Sequence, residues 1–240
     1  MRGWVLDELA QAGRENLDAN HVARYDNIED ATAEGEVQLL RDLGMDRSSI
    51  VVDMGAGTGQ FAIAAAPHVR QVIAVDISPV MLSALKANVA RSGHDNVQCV
   101  LGGFLSYQHA VEPADFVYSR WALHHLPDFW KSIALGRIHD LLSPRGILRL
   151  WDVVYNFPVH EAEDRIEQWC SSLPADGGGW TRADLEEHVR DENSTYSWLL
   201  EPMIEQAGFA IADRSYTADG MLARYLLRRN AAAQPQAERE

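Results

Sequence analysis

The sequence predicts an α/β fold: a doubly wound, mostly parallel sheet with helices on both faces and an antiparallel hairpin at its C-terminal end. Three observations predict it. Short apolar runs alternate with helix-length segments between residues 46 and 154. The first run empties into a glycine-rich turn that opens a helix. Two final apolar runs flank a short turn at Thr217–Gly220. Strands alternating with helices at this spacing form parallel sheets covered on both sides.

Residues 1–45 read as helices, with Leu6, Leu9 and Ala10 in one period and Val37, Leu39, Leu40 and Leu43 in another before Gly44 ends the run. Ile50–Met54 is the first strand, followed by a helix over Phe61–Ala66 bounded by Pro67. Val72–Val75 is the second strand, closed by Asp76. Ser78 and Pro79 start a helix that runs to Ser92-Gly93, with Pro at the first helical position. Val97–Leu101 and Asp115–Ser119 are the third and fourth strands. A helix over Pro127–Leu142 is expected to break at Ser143-Pro144-Arg145-Gly146 before the fifth strand, Ile147–Val154. The alternation then lapses: residues 156–191 are charged and carry Pro158, Pro174 and Gly177–Gly179, with a helix at about Val159–Cys170. A helix over Thr195–Ala207 and the strands Phe209–Tyr216 and Leu222–Arg228 complete a seven-stranded sheet. The expected organisation is an N-terminal helical cap (1–45), a main domain (46–229) with a cap insertion at about 156–191, and a polar disordered tail (230–240).

Composition narrows the function. The net charge of −14 repels phosphate backbones, so a nucleic-acid partner is not expected. No apolar run reaches membrane-spanning length and the N-terminus has no signal-peptide core, so no membrane partner is expected. Two cysteines, Cys99 and Cys170, form no disulfide framework. The expectation is a cytoplasmic protein, monomeric or homodimeric, acting on a small molecule.

The stretch VVDMGAGTGQFA (51–62) carries the chemistry. Glycines in a strand-to-helix turn let a ligand approach the backbone, and the exposed amides can bind a polar or anionic group. A dinucleotide fingerprint, G-x-G-x-x-G, would place its third glycine at position 60, which is Gln60; the pattern here is D-x-G-x-G-x-G, from Asp53 to Gly59. That spacing argues against a nicotinamide-dependent oxidoreductase. Asp76 ends the second strand seventeen residues after Gly59, where a carboxylate reaches the ribose hydroxyls of a nucleoside lying across the turn. The ligand is therefore a ribonucleoside with no pyrophosphate to bind.

With VIAVDIS (72–78), FVYSRWALHHLPD (116–128) and SPRGILRL (143–150), the chain resembles the class I S-adenosylmethionine-dependent methyltransferases, most closely the small-molecule group with an LHHL-type motif. The resemblance covers Tyr25–Val154, with a weaker echo at Gly208–Arg228. It implies a Rossmann-like fold and S-adenosyl-L-methionine as cofactor, leaving S-adenosyl-L-homocysteine as product. It further implies that Asp53, Gly55, Ala56, Gly57, Thr58 and Gly59 cradle the methionine and ribose portion and that Asp76 holds the ribose diol. Ile77 and Met81 would flank the adenine, Tyr25 would close over the methionine end, and Arg120 and Trp121 would contact cofactor or substrate. One departure stands out. The family often has Gly-Asp after the third strand, its acid accepting from the adenine amino group, whereas this chain has Gly102-Gly103-Phe104. Adenine is then left to backbone groups at Gly103 and to Phe104.

The expected reaction is in-line attack by an N, O, S or C nucleophile on the sulfonium methyl, assisted mainly by proximity. Candidates to receive a proton are His124, His125, Asp152 and Tyr155, and the sequence does not choose among them. Trp169 and Trp180 either wall a flat apolar substrate or pack the insertion. His160-Glu161 does not continue to H-E-x-x-H, because position 164 is Asp164, and no metal site is expected. The competing reading from another class is a cofactor-binding protein that transfers nothing.

Overall fold

The computed structural model of the protein describes residues 3–19, 21–22, 33–173 and 180–230. Tyr25, the Gly177–Gly179 run and the tail from residue 231 onward lie outside them. The chain begins with short helices α1 (Glu8–Gln11) and α2 (Arg14–Leu17), then α3 (Ala33–Asp42). The alternating part follows as β1 (Ile50–Met54), α4 (Gln60–Ala65), β2 (Gln71–Asp76), α5 (Pro79–Ser92), β3 (Val97–Leu101), β4 (Ala114–Arg120), α6 (Asp128–Leu141) and β5 (Leu142–Tyr155). Helices α7 (Ala162–Cys170) and α8 (Arg182–Asp191) form the insertion. The chain closes with β6 (Thr195–Tyr196), α9 (Ser197–Gln206), β7 (Phe209–Tyr216) and β8 (Leu222–Arg229).

The main path of the sheet runs β3-β2-β1-β4-β5-β8-β7, and the two-residue β6 pairs with β5. Only β8 runs against its neighbours: it is antiparallel to both β5 and β7, so the C-terminal hairpin places its second strand beside β5. Strand order reverses between β1 and β4, and the crevice at such a switch point, at the carboxyl ends of the strands, is where open α/β sheets bind ligands.

Side-chain alternation along the strands builds a core on each face. Ile50, Val52, Met54, Ile73 and Val75 face Ala134, Leu135 and Ile138 of α6 and Leu200 and Ile204 of α9. Val51, Val72 and Ala74 face Val37 and Leu40 of α3, Phe61 and Ala62 of α4, and Leu82 and Leu85 of α5. One ion pair crosses this second layer. Arg149 of β5 donates from Nε and Nη2 to the two carboxylate oxygens of Glu36 in α3, at 2.6 and 3.0 Å, with both side chains more than nine-tenths buried.

The local signals behave as their chemistry requires. Ser78 caps α5 by accepting from the Met81 amide at 3.1 Å, and Gly93 ends that helix at φ +74°. Two expectations differ in detail. The Ser143–Gly146 stretch does not break the fold into helix and loop: β5 already begins at Leu142, and the register slips between Ala114↔Leu142 and Phe116↔Ile147, a bulge that accommodates Pro144. Thr195 and Tyr196 belong to β6 rather than to the following helix, because they pair with Val154 and Tyr155.

Removing one partner of the Glu36–Arg149 pair strands a buried charge. Arg149→Met is expected to lower unfolding free energy in urea by about 3–5 kcal/mol, and the double variant with Glu36→Met to recover most of the loss.

Candidate functional site

The glycine turn after β1 is fixed from all sides. The amides of Gly55 and Ala56 donate to the Val75 carbonyl at 2.9 and 3.0 Å. Asn88 of α5 donates to the Thr58 carbonyl at 2.9 Å. Gly55, Gly57 and Gly59 all have positive φ, +78°, +54° and +92°. Two of the three glycines are also required by packing against the protein itself: a Cβ on Gly55 would lie 2.4 Å from the Ala122 Cβ, and one on Gly59 2.2 Å from Leu85 Cδ1. Ligand approach is thus a second reason for glycine at these positions, added to a demand of the fold.

Asp76 ties the turn to the next helix. Its Oδ2 accepts from the Gly57 amide and its Oδ1 from the Ser78 amide, both at 2.8 Å. Burial pushes its carboxyl up to about 6, against those two amides, which favour the charged form. Asp53 is buried deeper; burial, then the charge of Asp76, push it up to about 8. Among the described residues its Oδ2 has no hydrogen-bond partner.

Two cavities share this floor. One is lined by Asp53, Gly55–Thr58, Phe61, Tyr118, Arg120 and Trp121. The other continues past Asp76, Ile77, Met81, Gly103 and Phe104 to His125, and Arg120 and Trp121 line it as well. A larger open groove lies at the opposite end, beside Ile50, Gln71 and Val97 at the strand starts.

An acid does stand at Gly103, and it comes from the N-terminus. Glu8 of α1 is buried, with Oε1 accepting from the Leu105 amide at 2.9 Å and Oε2 from Ser106 Oγ at 2.8 Å. A Cβ on Gly103 would lie 2.5 Å from Glu8 Oε1, so a side chain at 103 would force the Glu8 carboxylate out of its present place. Glu8 and Asn16 both line the cavity, and the Asn16 carbonyl accepts from Ser78 Oγ at 2.6 Å.

Trp121 is the junction. It has φ +52°, a left-handed conformation unusual for a bulky side chain, and it lines both cavities above and a third, apolar one of about 250 Å³. Its ring lies 5.2 Å from that of Trp151, over which the Arg120 and Arg224 guanidiniums sit at 4.3 and 3.7 Å. The third cavity is walled by Trp169, Trp180, Leu173, Leu185 and Leu222, with His124, His125, His188 and Glu192 at one side.

The polar side of this cavity is a network. His124 faces Asp152 through Nδ1, and its Nε2 lies 3.0 Å from Glu192 Oε2. Burial works against a charge on His124, but Asp152 and Glu192 outweigh it and raise the ring to about 10. Burial and the neighbouring His124 push His125 down to about 3. Burial works against the Glu192 charge too, yet His124 and His188 hold its carboxyl well below the usual range. The segment after α8 is pinned to the His-His turn: the Asn193 amide donates to the His124 carbonyl and Asn193 Nδ2 to the His125 carbonyl, each at 3.0 Å.

Asp53, Gly55, Ala56, Gly57, Thr58, Asp76, Ile77, Met81, Gly103, Phe104, Arg120 and Trp121 line the first two cavities, while Gly59 shapes the turn without lining either. His124 and His125 line the apolar cavity, and Asp152 stands behind His124. Tyr155 lines none of the three; it is buried against Phe157 and Tyr196. The sequence reading missed Glu8, Asn16, His188 and Glu192. The i, i+4 spacing of His188 and Glu192 at the end of α8 is the one local signal, placing both on one helix face.

A family model described as a methyltransferase domain matches residues 51–146. An uncharacterized methyltransferase of Geobacillus kaustophilus is 30% identical over 154 residues, covering 60% of this chain and 69% of that protein. The chain belongs to the S-adenosylmethionine-dependent methyltransferases. Within this family, an arsenite methyltransferase of Halobacterium salinarum is 28% identical over 231 residues, or 94% of this chain. The chain spans little more than half the length of that relative and of others it matches, 56%, 56% and 53% in three of them. A solved S-adenosylmethionine-dependent methyltransferase of Aquifex aeolicus shares the fold, with a TM-score of 0.60 at 15% identity over 88% of this chain and 98% of that one. Among the described residues no helix is long and apolar enough to cross a membrane.

The crowding of Glu8 by a side chain at 103, made worse for an acid by like charge, is testable. Gly103→Asp is expected to displace α1, raising amide hydrogen exchange over residues 8–17 at least tenfold while the exchange of β1 and β4 stays unchanged.

Proposed function

We propose that the protein transfers the methyl group of S-adenosyl-L-methionine to an N, O, S or C nucleophile of a small, largely apolar molecule. The observation that carries this reading is the run of three cavities from Asp53 to Trp180 with Trp121 lining each. Two are built for a polar nucleoside with a charged tail, and the third for a flat apolar body. The N-terminal helices and the α7–α8 insertion are the two caps, and the active species is a monomer or homodimer.

When bound, the cofactor supplies a methyl group already activated on a positive sulfur. The chain's part is binding, alignment and exclusion of water. Asp76 has acceptor capacity left on both oxygens for a ribose diol. Ile77, Met81 and Phe104 offer apolar surface for the adenine, and Glu8 takes the place of the acid missing at 103, accepting from the amino group. Asp53, with a buried oxygen lacking a partner, suits an ammonium, and the Arg120 guanidinium suits a carboxylate.

The structure also weighs the four base candidates. His124 has a carboxylate against each ring nitrogen, which favours retention of its proton. Asp152 is engaged with His124 and with the Val153 amide, a positioning role. Tyr155 stands away from the cavities. His125 lines both the second and the apolar cavity, but burial and the neighbouring His124 push it down to about 3, so it stays neutral and is a weak base; alignment of the reactants rather than proton transfer then carries the step. Arsenite itself is a poor candidate substrate: it is thiophilic, and Cys99 and Cys170 line none of these cavities.

Calorimetry with S-adenosylmethionine and S-adenosylhomocysteine tests the binding half; absence of heat with both overturns it. Formation of S-adenosylhomocysteine with a panel of phenols, amines and carboxylic acids separates a transferase from a protein that only binds. Asp76→Ala is expected to weaken S-adenosylhomocysteine binding by about 2–3 kcal/mol. The Asp76 carboxyl, raised to about 6, is charged above that pH and protonated below it, and the charged form is the stronger acceptor. Affinity of the wild-type protein is therefore expected to fall about tenfold from pH 7 to pH 5, a dependence that calorimetry finds lost in Asp76→Ala. Glu8→Gln keeps an acceptor for Leu105 but loses the charge. It is expected to bind S-adenosylhomocysteine about tenfold more weakly and to lose discrimination against the inosine analogue, measured by competition.

A further inference from the structure

We propose that His124, His125 and Glu192 form a binding site for a divalent first-row transition cation, zinc or ferrous iron, beside the apolar cavity. A nitrogen from each ring and an oxygen of the carboxylate all lie within 4.8 Å of one another. His124 Nε2 is 3.0 Å and His125 Nδ1 4.0 Å from Glu192 Oε2. Ligands on a tetrahedral cation at about 2.1 Å are about 3.4 Å apart, so these spacings bracket what a cation between them needs.

One orphaned atom supplies an independent observation. Among the described residues His125 Nδ1 is buried without a hydrogen-bond partner, and it faces Glu192 Oε2 at 4.0 Å. Buried polar atoms are ordinarily satisfied. A cation held between that nitrogen and the carboxylate satisfies it.

The surroundings are those of a metal centre. Asp152 holds His124 Nδ1, so that Nε2 is the nitrogen that coordinates once the cation displaces its proton to solvent, the carboxylate-histidine-metal arrangement. The Asn16 amide faces His125 Nε2 at 3.3 Å; turned so that its oxygen accepts from Nε2–H, it leaves the Nδ1 lone pair to the metal. His188 Nδ1 is 2.5 Å from Glu192 Oε2 while its Nε2 meets Ser194 Oγ at 2.8 Å, so His188 positions the carboxylate. Asn193 anchors the backbone next to Glu192 onto both histidine carbonyls. Two imidazoles and one carboxylate suit zinc or ferrous iron over magnesium or calcium, which take oxygen ligands. Three protein ligands leave a position open to the cavity, where a substrate hydroxyl or carboxylate would bind as an anion. The cation would lower the pKa of a bound hydroxyl, whose proton leaves to solvent water, and His125, as a ligand, would receive none.

The test is cobalt titration of the full-length protein after chelation, read by visible absorption and calorimetry. One cobalt per chain with visible ligand-field bands is expected, displaced by zinc. Glu192→Gln is expected to weaken cobalt binding at least tenfold, and His125→Ala likewise, while His160→Ala, at an exposed histidine, leaves it unchanged. Equal cobalt affinity in the wild type and Glu192→Gln, or no stoichiometric binding, overturns the site. S-adenosylhomocysteine binding measured on the same samples confirms that Glu192→Gln is folded and keeps the cofactor reading separate: intact nucleoside binding without cobalt binding sinks the metal site alone.

Discussion

The site depends on one buried carboxylate that does two jobs at once. Asp76 closes β2, and its two oxygens take the amides of Gly57 and Ser78, joining the glycine turn after β1 to the start of α5. Without that bridge two adjacent strand ends would present unsatisfied amides to the crevice. With it, they form a rigid rim with acceptor capacity left over. The cost is a carboxyl held in a buried place where ionisation is disfavoured, next to a second buried acid, Asp53. A positive group set between the two carboxyls would lower that cost.

The second organising feature is the attachment of the insertion. Helices α7 and α8 are joined on their outer side by Arg182, which meets Glu167 at 2.7 Å and Glu186 at 2.6 Å. Such exposed pairs contribute little stability. What fixes the insertion over the sheet is Asn193, which uses its own backbone and side chain to satisfy carbonyls of the His-His turn, and Lys131, which reaches the Asn193 carbonyl from α6. The same anchorage delivers Glu192 to His124. Docking of the insertion and assembly of the polar cluster therefore rest on the same contacts.

The legible parts of the sequence were those whose chemistry is local. The continuous apolar runs of β1 and β2, the Ser78-Pro79 helix start and the D-x-G-x-G-x-G turn each state their conformation within a few residues, and Asp76 is found by counting from the turn. Glu8 was invisible because its meaning lies 95 positions away: only the fold shows that the empty space of Gly103 is filled by a side chain from α1. The acid missing after β3 was a visible gap, but nothing local said what would fill it. Glu192 and His188 were hidden in a charged stretch that resembles a solvated helix face. The bulge at Pro144 and the strand β6 depend on pairing with distant neighbours, which propensity cannot supply.

The shortness of α1 and α2 has its own consequence. Each is four residues long, too short to persist in water alone, so they hold their form only by docking against the loop at Gly103 and the cap residue Ser78. The wall they give the cavity is only as durable as those contacts: whatever loosens the Gly103 loop or the Ser78 cap melts residues 8–17 and opens the cavity in the same motion.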